Sequence, residues 1–128
     1  MALIAFLAGA VIAQTVVNYY YPQDGTIASY SLELYFDGTL RSNGTALNWG
    51  ICEKSIENSR NVTVVNTGDV NLTVSITTTN LPLGWILEWD ANNTILPPDY
   101  CIKGWLNLTI PATETTWHAW AFSLNGNA

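Results

Sequence analysis

RNVTVVNTGDVNLTVSIT, residues 60–77, carries the clearest structural pattern in the chain. Val62 and Val64 alternate with Asn61 and Thr63. Beyond Thr67-Gly68-Asp69, Val70, Leu72, Val74 and Ile76 alternate with Asn71, Thr73, Ser75 and Thr77. A two-residue period of apolar and polar side chains is that of a strand with one face buried. The short Gly-containing break predicts that the two strands pair as a hairpin.

The same period recurs on both sides. Tyr30, Leu32, Leu34 and Phe36 alternate with Ser29, Ser31, Glu33 and Tyr35, up to the turn Asp37-Gly38. A short strand is expected over Ala46–Ile51, then a polar loop from Glu53 to Ser59. Downstream, Trp85, Leu87 and Trp89 share a face, and so do Leu106, Leu108 and Ile110. A last strand over Thr116–Leu124 places Trp120, Phe122 and Leu124 together. About seven strands with turn signals at short spacing predict an immunoglobulin-like β-sandwich over residues 22–128. Six tryptophans exceed what one small core needs. Some are therefore expected on a surface that a neighbour covers.

Residues 2–21 read differently. ALIAFLAGAVIAQTVVNYYY contains no acidic or basic residue, and Arg41 is the first basic residue. Leu3, Ile4, Phe6, Leu7, Val11, Ile12, Val16 and Val17 point all round a helix, so a helix here needs apolar surroundings on every side. Burying each side chain is worth roughly 1.5–3 kcal/mol. The expectation is one long apolar N-terminal α-helix over residues 1–21, ended by Pro22. Three fates suit it. A secretion signal fits the AVIA run but lacks a basic start. A membrane span fits a length of ~30 Å. Packing against identical helices fits the small-residue stripe Ala2, Ala5, Gly9 and Ala13. Tyr19, Tyr20 and Tyr21 at the junction read as an interface belt.

Chemistry-bearing residues are sparse. Net charge is −6 with only 11% charged residues, which argues against a nucleic-acid partner. His118 is the single histidine. Asp24, Asp37, Asp69, Asp90 and Asp99 fall at turns, where Asp is favoured. No nucleophile elbow, phosphate loop or metal spacing occurs. No enzyme, catalytic residue, metal or cofactor is expected. Cys52 and Cys101 are the two cysteines, and a bridge between them would suit an oxidising compartment. Asn-x-Thr triplets begin at Asn43, Asn61, Asn71, Asn92 and Asn107, which makes covalent N-linked glycans an expectation.

Four runs carry a resemblance: WGI from Trp49, NVTVVNTGDVNLTVSI over 61–76, NLPLGWILEW over 80–89 and WLNLTIP over 105–111. Together they resemble archaeal exported β-sandwich domains, over about residues 45–124. An uncharged apolar segment leading into a small sandwich with glycan signals is, in addition, similar to archaeal type IV pilins and archaellins. That resemblance implies helices bundled as a fibre core, with Leu3, Ile4, Phe6, Leu7, Gly9, Val11, Ile12, Val16 and Val17 as core residues. Ala5 stands where bacterial type IV pilins carry Glu. Numbering from the mature residue would account for the lack of a basic prepilin leader. The implied function is a structural subunit of an extracellular, cell-surface pilus, probing surfaces by adhesion. Its partners would be identical subunits, with a membrane stage before assembly. Two other readings stand beside it. In a strand-exchange filament, such as archaeal threads and related bundling fibres, an extended N-terminal segment enters the next subunit's sandwich, which then has a vacant slot. A membrane-anchored surface domain would stay monomeric.

Overall fold

The computed structural model describes residues 18–23, 25 and 27–128. Among them the chain forms eight strands and no helix: β1 (Leu32–Phe36), β2 (Thr39–Arg41), β3 (Glu57–Asn66), β4 (Leu72–Thr79), β5 (Ile86–Trp89), β6 (Thr94–Leu96), β7 (Cys101–Thr109) and β8 (Ala121–Asn127). One sheet has the order β2-β1-β3-β7-β5 and the other β6-β4-β8. Every pairing between these strands is antiparallel.

A single hydrophobic cluster joins the sheets. β3 contributes Val62 and Val64, β7 Leu106 and Leu108, β4 Val74 and β6 Leu96, all at most 3% exposed. Each such side chain stabilises the fold by roughly 1.5–3 kcal/mol. The alternation in β3, β4 and β7 is what aims these residues inward. β1 and β2 are joined by Asp37 (φ 49°) and Gly38 (φ 83°), with Phe36 opposite Thr39. Two left-handed residues in a two-residue loop match the twist of a tight hairpin.

The mostly-β expectation agrees with this structure, but the long N-terminal helix is corrected. Asn18–Tyr21, within its expected span, are not helical. Three consecutive tyrosines are mediocre helix formers, and a residue before proline is pushed out of the α region. The core-helix residues Leu3, Ile4, Phe6, Leu7, Gly9, Val11, Ile12, Val16 and Val17 lie outside the described residues. No described helix is long and apolar enough to cross a membrane.

The expected hairpin of β3 with β4 is also corrected. The two strands lie in different sheets, and the chain crosses between them at Thr67–Val70. Asn66, 0% exposed, causes the crossing. Its Nδ2 donates to Val70 O (2.8 Å) and Leu96 O (2.9 Å), while its Oδ1 accepts from Gly68 N (3.0 Å). The crossing then docks on the chain before β1, with Thr67 N donating to Ser31 O and Asp69 N to Ser29 O, both 3.0 Å. A Cβ at residue 68 would come within 2.3 Å of Ser29 O, so glycine is what permits this approach.

Ala46–Ile51 carries no strand. Arg60 takes up its polar backbone instead: the guanidinium donates to Trp49 O and Ile51 O and lies 5.4 Å from the Trp49 ring centroid. The last strand begins at Ala121 rather than Thr116, and before it Glu114, Trp117 and His118 pack against Trp85 instead of pairing in a sheet.

Candidate functional site

The sheets differ in width, five strands against three. At about 4.8 Å per strand, the smaller sheet is narrower by ~10 Å. On the β8 side it stops short, and among the described residues no strand lies opposite part of the inner face of β1. The result is an open groove of about 860 Å³. Leu32 and Leu34 line it from β1, Leu47 from the following loop, and Trp120, Phe122 and Leu124 from the β8 side. All six are only partly buried. These are inward-facing positions of the strand pattern, yet the described residues do not cover them.

The groove's edge is unguarded. β8 pairs with β4 on one side, and among the described residues no strand pairs with its other side. Edge strands are ordinarily blunted by charge, proline or a bulge. AFSLNGN contains neither a charge nor a proline. Two further groups await a partner. Arg41 Nε and Trp120 Nε1 are buried without an acceptor among the described residues, and both residues line the groove. A buried donor without an acceptor costs roughly 1–3 kcal/mol. An apolar strand entering here would bring backbone carbonyls to such donors and to the β8 edge.

A chain of rings stiffens the floor. Phe36 and Trp49 are 5.8 Å apart by centroid, Trp49 and Trp120 6.1 Å, and Trp120 and Phe122 6.5 Å. Trp120 continues to Trp117 at 6.2 Å, and Trp117 to Trp85 at 5.4 Å. Edge-to-face and tilted pairs of this kind add about 0.5–1.5 kcal/mol each beyond area burial. Trp49, Trp85 and Trp89 are core residues, whereas Trp105 and Trp117 are 51% and 49% exposed. The surplus of tryptophan therefore divides between the core, the groove and two exposed positions.

Glu114 holds the approach to β8. Its Oε2 accepts from Trp85 Nε1 (2.8 Å), and its Oε1 accepts from His118 Nε2 (2.9 Å). The Trp85 hydrogen bond, followed by that of His118, holds the carboxyl below its usual range. A depressed carboxyl pKa contributes stability above the unfolded value and loses it as pH falls through the folded one. Acidification below the ordinary carboxylate range is therefore expected to release Trp85 from Glu114. The measurement is an indole fluorescence titration at constant ionic strength. Glu114→Gln should abolish that acid step, and an unchanged step in this variant would refute the assignment.

The other expected sites fall as follows. Cys52 is half-buried and Cys101 exposed, and the two are not bridged in this structure. Cys101 pairs with Val65 on the outward face of the larger sheet. Cys52 Sγ lies 3.9 Å from the guanidinium of Arg60, on the groove side. Burial pushes the Cys52 thiol up, partly offset by the charge of Arg60. Asn43, Asn71 and Asn92 are exposed, while Asn61 and Asn107 are half-buried on the outer face. Sequence reading missed Asn66, Arg60, Arg41 and Glu114. For Asn66 a signal existed: an Asn closing a run of alternating valines, just before Thr-Gly.

No family model, curated protein or solved structure matches the chain.

Proposed function

We propose that this chain is a structural subunit of an extracellular filament, in which the apolar leading segment of one copy fills the groove of the next. The observation that carries this reading is the largely apolar groove along the uncharged strand β8, which the described residues leave open. The strand-exchange reading requires such a slot. The donor is in the same sequence: residues 2–17 are apolar and uncharged apart from the polar Gln14 and Thr15. A strand buried on both faces reads as a continuous apolar run rather than an alternation. β8 needs only about seven residues, or ~23 Å, of partner, well within reach of that segment. Tyr19, Tyr20, Tyr21 and Ile27, which follow that segment, are 73–93% exposed and so leave apolar surface for a neighbour to cover. Head-to-tail insertion does not close on itself and so gives an open fibre. Cell-surface placement and glycans at the exposed sequons belong to the same proposal, as does the absence of catalysis.

Deleting residues 1–17 tests it. The shortened chain is expected to be a folded monomer by light scattering and electron microscopy, while the full chain forms fibres. A synthetic peptide of residues 2–17 should bind the shortened chain and cap full-length fibres. Fibres from the deleted chain, or a full chain that is monomeric at every concentration, would remove the proposal.

A further inference from the structure

The outer face of the larger sheet holds a feature that the groove does not explain. Trp105 is 51% exposed in the middle of β7, and its direct partner across the strands is Asn61. In an antiparallel pair such partners hold their Cβ atoms about 4.5–5.5 Å apart on the same face. Asn61 opens the triplet Asn61-Val62-Thr63.

The two half-buried sequons on this face are not equivalent. Asn107 is engaged at both ends: its Oδ1 accepts from Ser59 Oγ (2.6 Å), and its Nδ2 donates to Asp90 Oδ1 (3.3 Å). Asn61 has its Oδ1 buried and unpartnered, and its Nδ2 makes no hydrogen bond among the described residues. With the carbonyl oxygen turned inward, the amide nitrogen is the outward end of the side chain. That nitrogen is the atom to which an N-linked glycan attaches.

We infer that Asn61 is glycosylated and that the ring of Trp105 is the platform on which its first sugar lies. In the transfer, a bond forms between Nδ2 and the anomeric carbon of a glycan carried on a lipid phosphate or diphosphate. The anomeric carbon–oxygen bond to phosphate breaks, and the Nδ2 proton leaves as the lipid phosphate departs. The sugar then sits one strand spacing from the indole. Its C–H face is apolar enough to cover a tryptophan ring, which carries a large apolar surface and a polar handle. Its hydroxyls reach outward to water and to the polar rim of Lys103, Asn107 and Asp90. An exposed tryptophan in a sheet centre is thereby covered by the chain's own modification rather than by another protein. The inference rests on the extracellular placement proposed above, but not on assembly.

The full chain, secreted from a host with N-glycosylation and also made in one without it, provides the test. Glycopeptide mass spectrometry is expected to find Asn61 occupied. The glycosylated chain should unfold about 3–6 °C above the Asn61→Gln chain from the same host. Trp105→Ala should erase that difference, and Trp105→Phe should keep part of it. In the unglycosylated material, Asn61→Gln should have little effect with or without Trp105. Three results overturn the inference: an empty Asn61 beside occupied Asn43 or Asn71; an increment unchanged by Trp105→Ala; or an empty Asn61 with saturable binding of free oligosaccharide at Trp105, which would make the platform one for foreign sugars. None of these bears on whether fibres form, so the two proposals fail separately.

Discussion

Replacing Asn66 with alanine is expected to lower the unfolding free energy by about 3–5 kcal/mol. The side chain is 0% exposed and serves three backbone groups: Val70 O, Leu96 O and Gly68 N. Its own backbone adds two bonds, from Asn66 N to Tyr100 O (3.0 Å) and from Asp99 N to Asn66 O (2.8 Å). These five bonds tie the end of β3 to the start of β4, the end of β6 and the loop before β7. Alanine keeps the two backbone bonds and strands the other three partners in the interior, at roughly 1–3 kcal/mol each before relaxation. A domain of about 100 residues is stable by only ~5–15 kcal/mol, so the variant should lose a large share of its margin. Denaturant unfolding followed by tryptophan emission measures this, and the midpoint should move with an unchanged slope. Asn66→Asp is the sharper variant. It keeps shape and acceptor but turns a carboxylate towards two carbonyls, so it should be worse than alanine at neutral pH and recover partly in acid. A loss below about 1 kcal/mol for alanine would mean that water replaces the side chain and that Asn66 does not hold the crossing.

This residue also marks where sequence reading stops. The long strands β3, β4 and β7 were legible because Val62, Val64, Leu72, Val74, Leu106 and Leu108 repeat with a period of two over eight to ten residues. β2 and β6 are three residues each, too short to show any period. Partnership was the harder question. A single apolar face says that a strand borders the core but not from which sheet. The hairpin and the sheet crossing therefore leave the same pattern in residues 60–77, and Asn66 breaks the tie through contacts with Leu96, 30 residues away. The groove was legible only in outline. The strand pattern puts Trp120, Phe122 and Leu124 on one face, but their lack of cover by the described residues comes from a difference in sheet width that no local pattern records. For Asn18–Tyr21 the apolar run was read as helical to its end, although aromatic residues leading into proline prefer an extended chain.

The groove itself predicts an effect on assembly larger than the effect on folding. Phe122 and Leu124 project into it from β8 and are only partly buried in the single chain. Phe122→Asp removes a ring that packs on Trp120 and should cost the isolated sandwich roughly 1–3 kcal/mol, while the carboxylate remains in contact with water, so the variant is expected to stay folded. Filling the groove removes that water. The carboxylate would then face an apolar strand, with Leu32 and Leu34 across the groove. Isolated buried charge is expensive enough that a group neutralises or excludes its partner instead. Affinity for the 2–17 peptide is expected to fall at least about 100-fold, which is ~2.7 kcal/mol, and full-length chains should stay monomeric. Ser123→Asp is the control. It adds the same charge one residue along the same strand; Ser123 borders the groove, but its side chain alternates with Phe122 and is exposed to water, so net charge and edge charge change alike. If the groove accepts the neighbour's strand through its inner face, the Ser123 variant still assembles and the Phe122 variant does not. If both variants fail together, the contact involves the edge or the outer surface of β8, and the slot is not where the neighbour docks. Peptide binding measured by calorimetry at pH 7 and again in mild acid adds a signature that misfolding cannot mimic. Protonating the new carboxyl should restore part of the affinity of Phe122→Asp and leave Ser123→Asp unchanged.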